Sequence, residues 1–321
     1  MIDHIQKKLT VLDAHHNQRI DWVLAQLLPE YSRSLLSNWI KTGAVTINHK
    51  TCKPKDKALA GAQIIINVNY QAINHDSSLC DAEDIPLDIV FEDEDLLILN
   101  KPAGLVVHPG AGNREHTLVN ALLHHEPQLS HLPRAGIIHR LDKETTGLLI
   151  VAKSLIAHSA LIRQMQSREI QRHYITLVQG HLISGGTIET CFGRSPRNRL
   201  KMSVMTQGRQ AITHYKIKKQ FHDYSLLDVS LMTGRTHQIR VHLAHINHPV
   251  VGDPLYGSRM RFPQSAEESL RCALQQFKRQ ALHACSLAFI HPITKRELLF
   301  NAPLPDDFQM LLNLLNKHYE K

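Results

Sequence analysis

Residues 134–154, RAGIIHRLDKETTGLLIVAKS, place a group of charged side chains between two apolar runs. The runs AGIIHRL and GLLIVAK have the length and composition of buried strands, and the Thr-Thr-Gly before the second is typical of a turn. This pattern brings one carboxylate, Asp142, to the end of a core strand, directly after His139 and Arg140. The stretch therefore predicts a strand-turn-strand that presents an acidic side chain next to basic ones.

The segments around this stretch predict a largely antiparallel sheet. Consecutive strand-like runs are joined by short turns, which favours an α+β domain with helices around the sheet over a doubly wound parallel fold. Further strands are predicted in DIVFEDEDLLILNKP, HYITLVQG, HYKIKKQF, YSLLDVSLMTG, ACSLAFIHP and RELLFNAP. Helices are predicted in HTLVNALLHH, IAHSALIRQMQSR, THQIRVHLAHI and PDDFQMLLNLLNKHY.

An acidic and polar segment divides the chain. No Lys or Arg occurs from Ala58 to Asn100, and NYQAINHDSSLCDAED has neither a helical nor a strand period, so residues 71–84 are interpreted as a linker. We expect a small N-terminal domain over residues 1–70 and a second domain over residues 85–321.

The N-terminal segment has the pattern of a small α/β unit. Apolar spacing predicts helices in IDWVLAQLL and SRSLLSNWIKTG, the second with Ser32 as its N-cap and Gly43 just after its end. The segments AVTIN and QIIINV predict strands.

Composition excludes several classes of protein. With 321 residues, 43% of them hydrophobic, the chain can bury a sizeable core. No apolar run approaches the roughly 18 to 20 residues of a membrane span, and MIDHIQKKLTVLD lacks the apolar core of a signal peptide. Five scattered cysteines without a CxxC spacing indicate neither disulfides nor a thiolate zinc site. We expect a cytoplasmic protein without membrane contact.

The charge indicates an anionic partner. The net charge is +8 and the pI about 9.3, which favours nucleic acid. Residues 190–222 carry eight Lys or Arg and no acid, with aromatic and polar residues interleaved. This strip is interpreted as a surface for RNA phosphates, with a solvated face as the alternative. The basic N-terminal domain is likewise interpreted as an RNA-binding module, with a solvated surface as the alternative.

The sequence does not support two other kinds of site. HRLD, residues 139–142, resembles a protein-kinase catalytic loop, but the chain has no GxGxxG and no DFG. THQIRVHLAHINH contains four histidines, yet no acid or Cys lies nearby and HExxH is absent. We predict no metal site; a metal-dependent nuclease remains a rival hypothesis.

Five blocks together resemble the RluA family of RNA pseudouridine synthases, and within it the RluD branch. The resemblance covers nearly the whole chain, and the blocks occur in the order of the family: NKPAGLVVHPGAGN, RAGIIHRLDKETTGLLIVAKS, RHYITLVQG, GRTHQIRVHLAHINHPVVGDPLYG and RQALHACSLAFIHP. The N-terminal domain resembles the small RNA-binding module shared with a ribosomal small-subunit protein.

The resemblance implies isomerisation of uridine in RNA to pseudouridine, without a cofactor. It assigns Asp142 as the catalytic aspartate, Arg235 as the cation that keeps this carboxylate ionised, and Tyr174 as the tyrosine that packs on the target base. Arg140 is expected to contact RNA or to fill the space of the flipped base, and Leu243 to line the uracil pocket. Further RNA contacts are expected from Arg33, Lys41, Arg194, Arg197 and Arg199.

The RluD branch implies large-subunit (23S) ribosomal RNA as the substrate, and we expect a monomer. The same reaction on tRNA or at other rRNA sites is the alternative, and a non-catalytic RNA-binding ribosome-assembly factor is the rival from another class. The sequence leaves open whether Asp142 attacks C1′ or C6 or assists a glycal route.

Overall fold

The structure is a computed structural model that describes residues 4–28, 31, 33–69, 81–110, 112–198, 200–257 and 262–320. Most of the predicted linker and the predicted N-cap Ser32 therefore lie outside the described residues. Within them, no helix is long and apolar enough to cross a membrane.

The N-terminal unit consists of short strands and two helices around one apolar core. Its strands are β1 (His4–Thr10), β2 (Gln18–Arg19), β3 (Val45–Ile47), β4 (Lys50–Thr51), β5 (Lys57–Ala58) and β6 (Gln63–Asn69). Its helices are α1 (Ile20–Leu27) and α2 (Arg33–Lys41). The antiparallel order β1-β6-β3-β4 forms one sheet, and β2 pairs with β5.

Helix α2 ends as the sequence predicts. Gly43 has φ +77°, its N–H donates to Ile40 and the next N–H, of Ala44, donates to Trp39. These two bonds satisfy terminal carbonyl groups of the helix in a Schellman arrangement. Trp39 and Ile40 are buried in the core of this unit.

The second unit is built on a ten-stranded sheet. Its strands are β7 (Ile89–Glu92), β8 (Leu96–Lys101), β9 (Thr146–Ala152), β10 (Gln171–Gln179), β11 (Gly186–Arg194), β12 (Met202–Met205), β13 (Arg209–Gln220), β14 (Tyr224–Leu231), β15 (Leu282–Ile290) and β16 (Glu297–Asn301). The order is β12-β11-β13-β14-β10-β15-β9-β8-β7, with β16 on β15. All pairs are antiparallel except β9 with β15.

Helices cover this sheet on both faces. They are α3 (Leu118–His125), α4 (Leu155–Gln166), α5 (Gln238–His245), α6 (Glu268–Gln276) and α7 (Asp306–Tyr319). The central strand β9 is buried throughout: Leu149 and Val151 belong to one apolar cluster, and Leu148 and Ile150 to another. This alternation places β9 between two cores, since successive side chains of a strand point to opposite faces. The α+β fold with a mainly antiparallel sheet is confirmed.

One predicted strand is wrong. AGIIHRL is irregular, and only Ile137 forms an isolated bridge, to Val151 of β9. Arg134, Ala135 and Gly136 have φ of +57°, +50° and +76°, a left-handed backbone that cannot continue as a strand. The apolar residues after them are buried because the segment lies along β9, which is a tertiary contact that periodicity does not reveal.

Candidate active site

Asp142 lies in a tight turn before β9. The turn is closed by a hydrogen bond of 3.0 Å from the N–H of Thr145 to the carbonyl of Asp142. Gly147, at the start of β9, has φ +111°, and a Cβ there would lie 2.2 Å from the carbonyl oxygen of Ala284 on β15. The Thr-Thr-Gly sequence therefore permits the close parallel pairing of β9 with β15, which fixes the position of the turn.

A buried lysine anchors this turn to the NKPAG loop. Lys101 Nζ donates to the carbonyl oxygens of Pro102 at 2.6 Å, Leu105 at 3.0 Å and Lys143 at 2.9 Å. The N–H of Gly104 donates to the same Lys143 carbonyl. These hydrogen bonds fix the backbone of Lys143, the residue after Asp142, and so restrict the position of the Asp142 carboxylate.

Arg240 joins Asp142 to a second, buried carboxylate. Its Nη1 donates to Asp142 Oδ2 at 2.8 Å, while Nε and Nη2 donate to the two oxygens of Asp253 at 2.6 and 2.8 Å. The exposed fractions of the side chains are 4% for Arg240, 0% for Asp253 and 15% for Asp142. The N–H groups of Leu255 and Tyr256 also donate to Asp253 Oδ1.

This network keeps Asp253 ionised and Arg240 charged. Burial alone would raise the pKa of Asp253, but the hydrogen bonds and charge of Arg240 lower it. Burial likewise opposes the charge of Arg240, yet the hydrogen bond to Asp253 and the charge of Asp142 raise its pKa. Asp253 therefore orients a guanidinium that can hold one oxygen of Asp142.

The prediction that Arg235 supplies this cation is wrong. Arg235 is exposed, and its Nε contacts the carbonyl of Gln210 at 3.5 Å. It lies in the loop before α5, where His237 has φ +59°, whereas Arg240 lies in the first turn of α5 on the side that meets Asp142. The block GRTHQIR contains both arginines, and only the helix start distinguishes them.

Two hydrogen bonds place His237 opposite the other oxygen of Asp142. The N–H of Met202 donates to Tyr256 Oη at 2.7 Å, and Tyr256 Oη lies 2.8 Å from His237 Nδ1. When the Tyr256 hydroxyl donates its proton to Nδ1, the imidazole proton lies on Nε2. His237 Nε2 faces Asp142 Oδ1 at 3.8 Å. Burial lowers the pKa of His237 despite the nearby carboxylate.

Asp142 opens into a cavity of about 480 Å³. Tyr174 lines it, only 4% exposed, and burial raises the pKa of its phenol. Arg140 and Arg235 line it as exposed side chains. Leu243 does not line it: this residue is fully buried in the core of the sheet. The pocket role predicted for Leu243 is therefore wrong: Ile239, one turn earlier on the same face of α5, lines the cavity, and Leu243 lies one turn further into the core.

The predicted RNA contacts occupy separate parts of the chain. Arg194 ends β11 and Arg197 lies in the turn before β12, both exposed, while Arg199 lies outside the described residues. In the N-terminal unit Lys41 is exposed, and Arg33 is half exposed with its Nη2 on Asp21 at 3.0 Å.

The histidines of α5 and its flanks do not converge. The two ring nitrogens of His242 contact the hydroxyl groups of Thr190 and Thr213. Among the described residues, three potential metal ligands do come together elsewhere: Asp93, Asp95 and His291. In this group the imidazole of His291 accepts two backbone N–H bonds at Nδ1 and contacts Asp93 through Nε2. These bonds stabilise a turn, which explains why the three side chains lie together.

Sequence reasoning missed Arg240, Asp253 and Tyr256. The signal was present in the block HPVVGDPLYG, residues 248–257, whose acidic and aromatic residues follow α5 at short distance. The pairing across residues 142, 240 and 253 depends on the tertiary structure.

A carboxylate that is paired with a buried guanidinium, and that faces an arginine-lined cavity beside a tyrosine, is typical of an active site and suits an anionic substrate such as RNA. Residues 95–245 match the RNA pseudouridylate synthase family, and residues 18–64 match the S4 domain. The chain belongs to the RNA pseudouridylate synthase family. It is an isomerase that converts uridine to pseudouridine in RNA.

Relatives match over the full chain. The chain is 46% identical to Ribosomal large subunit pseudouridine synthase D of Escherichia coli K12, covering 100% of this chain and 98% of that protein. It is 47% identical to the protein of the same name from Pseudomonas aeruginosa, covering 100% and 99%. Among solved structures, Human RNA Pseudouridylate Synthase Domain Containing 4 is 26% identical with a TM-score of 0.55, covering 71% of this chain and 92% of that chain.

Proposed function

We propose that this enzyme isomerises specific uridines of large-subunit (23S) ribosomal RNA. The observation that carries the proposal is the full-length similarity to proteins named for large-subunit ribosomal RNA, combined with an Asp142–Arg240 pair that opens into a cavity. The tRNA alternative predicts the same site chemistry and differs only in the RNA that is modified.

Asp142 is proposed as the nucleophile. Arg240 holds its Oδ2 and Asp142 lines the cavity, so Oδ1 is the oxygen left for attack on the target nucleotide. A uridine within a stem cannot reach this carboxylate, so it must be extruded at a cost of about a few kcal/mol in unstacking. The C1′–N1 bond breaks, the uracil turns, and C5 joins C1′ while the proton of C5 is lost and N1 gains one.

Tyr174 is proposed to pack on the uracil and to assist removal of the C5 proton. Because burial raises the pKa of its phenol, the resting side chain is neutral. A neutral phenol is a weak base, so it can serve in proton removal only by passing its own proton on.

RNA binding is proposed to involve three regions. The S4 match supports a role for the N-terminal domain, here including Arg33 and Lys41, and the strip around Arg194 and Arg197 is exposed and basic. Arg140 and Arg235 at the cavity are suited to phosphates beside the flipped nucleotide. These contacts would offset the unstacking cost.

We propose residues 1–70 and 85–321 as the two domains, with 71–84 as the linker. The separate apolar clusters of the two units support this division. We also propose that the protein acts in the cytoplasm, as a monomer, on free RNA or a pre-ribosomal particle; sedimentation with and without RNA would test the monomer.

The decisive experiment is pseudouridine mapping of rRNA and tRNA from cells that lack the protein. We expect pseudouridines to disappear from 23S rRNA, to return with the wild type, and to remain absent with Asp142→Asn. Loss from tRNA alone would move the substrate assignment to tRNA.

The rival hypotheses have their own readouts. A non-catalytic assembly factor predicts unchanged pseudouridine content in the deletion strain and full rescue of growth by Asp142→Asn. A metal-dependent nuclease predicts RNA cleavage that a chelator stops; intact RNA and chelator-resistant isomerisation exclude it.

A further inference from the structure

Two polar groups that line the active cavity lack a partner. Arg172 of β10 is only 8% exposed, its Nε is buried without a hydrogen-bond partner, and no ion pair among the described residues includes it. His139 Nδ1 is likewise buried without a partner in the described structure. Both residues line the cavity together with Asp142 and Tyr174.

The orphan nitrogen of His139 is a hydrogen-bond donor. Its other nitrogen, Nε2, accepts the N–H of Ile150 at 3.3 Å, so the ring proton is on Nδ1. Burial, with a contribution from the positive charge of Arg172, lowers the pKa of His139 to about 3. The imidazole is therefore neutral near neutral pH and keeps its Nδ1–H.

Arg172 is held next to the tyrosine of the site. Arg172 and Tyr174 are two residues apart on β10, and both reach the cavity. The guanidinium lies against the backbone before α5, since a Cβ at Gly234 would lie 2.7 Å from Arg172 Nη1. By contrast, all three nitrogens of the Arg240 guanidinium already donate to Asp142 or Asp253.

A buried cation and a buried donor without acceptors are unfavourable in the free protein. They become favourable when a ligand brings acceptor oxygens, more so when those oxygens carry negative charge. Uracil has two such oxygens, O2 and O4. Attack at C6 produces an enolate at O4, and departure of the base from C1′ leaves its electron pair spread over N1, O2 and O4.

We propose that Arg172 and His139 bind the carbonyl oxygens of the target uracil and stabilise the negative charge that develops on it. The inference rests on the proposed function and adds two catalytic residues to it. No further reactant is required: the electrons of the C1′–N1 bond pass to the uracil, and they return when C5 bonds to C1′. Interactions that strengthen as charge develops accelerate the reaction rather than the binding.

The test measures single-turnover rate and RNA affinity separately, on a short RNA that contains one mapped target uridine. For Arg172→Met we expect the rate to fall about 100-fold or more, the loss typical of one donor to a developing oxyanion. The dissociation constant and its salt dependence should stay within about twofold of the wild type. Arg235→Met, at an exposed arginine of the same cavity, is the control and should weaken RNA binding and its salt dependence instead.

His139 offers a matched pair of variants. In His139→Asn the amide can retain a donor near the position of Nδ1, whereas His139→Leu has none, and both lose the acceptor for Ile150. We expect Asn to react at least tenfold faster than Leu at equal melting temperature. Equal rates would remove Nδ1–H from the proposal.

Thio-substituted RNA identifies the ligand. If Arg172 contacts a uracil oxygen, 2-thiouridine or 4-thiouridine at the target should slow the wild type more than Arg172→Met. A phosphate ligand predicts instead that Arg172→Met changes affinity and salt dependence at an unchanged rate, which would overturn the proposal. Wild-type conversion of the RNA is measured first, so that failure of the proposed function is separated from failure of this inference.

Discussion

Replacing Arg240 by methionine removes the cation from a site that holds two carboxylates. Asp253 has a fully buried side chain, and without Arg240 it keeps only the backbone N–H bonds from Leu255 and Tyr256. Breaking a buried ion pair by removing one partner costs about 3–5 kcal/mol. For a folding unit of this size, each kcal/mol lowers the melting temperature by about 2–4 °C, so we expect a fall of roughly 6–20 °C.

The assay is thermal unfolding combined with single-turnover isomerisation. Arg240→Met should lose both stability and activity, because Asp142 loses the group that holds Oδ2. The double variant Arg240→Met/Asp253→Asn should recover much of the stability but not the activity, since the fully buried carboxylate loses its charge and only Asp142, which faces the cavity, stays unpaired. Arg235→Met should unfold within about 0.5 kcal/mol of the wild type. Melting of Arg240→Met within 2 °C of the wild type would refute this reasoning.

Other perturbations have distinct expected outcomes. Asp142→Asn should abolish turnover while RNA binding and melting change little, because Arg240 keeps Asp253; detectable turnover by the pure variant would remove Asp142 as the nucleophile. Tyr256→Phe should lower kcat about tenfold at unchanged RNA affinity, because His237, which faces Asp142, loses the hydroxyl partner of its Nδ1. A change in KM alone would contradict this expectation. Gly147→Ala should cost at least about 2 kcal/mol because its Cβ meets the β15 backbone, and a wild-type melting curve would count against that pairing. The pKa of Asp253 is lowered on folding, so the ionised carboxylate stabilises the folded protein above the unfolded pKa of about 3.9, and this stabilisation is lost as the pH falls through the folded pKa. Acid unfolding of the wild type and of Asp253→Asn at the same pH would contradict this expectation.

Much of the architecture was predictable because it depends on local pattern. The helix that became α5 and the strand β9 follow from apolar spacing, and the end of α2 follows from Gly43. The strand expected before Asp142 failed for a specific reason. Its apolar residues are buried against β9 by a loop with left-handed backbone at Arg134 and Ala135, and an apolar run alone does not distinguish a strand from such a loop.

The sequence by itself determined the reaction class, and it indicated Asp142 and Tyr174 as site residues, because the motifs that contain them resemble one family in their order along the chain. Only the tertiary structure decided which arginine serves Asp142. Arg235 and Arg240 share one block, and the choice depends on where α5 begins and on Asp253, which lies 13 residues further along the chain. It also decided that Leu243 belongs to the core. Charge pairing and burial are set by distances between segments remote in sequence, and those distances exist only once the chain is folded.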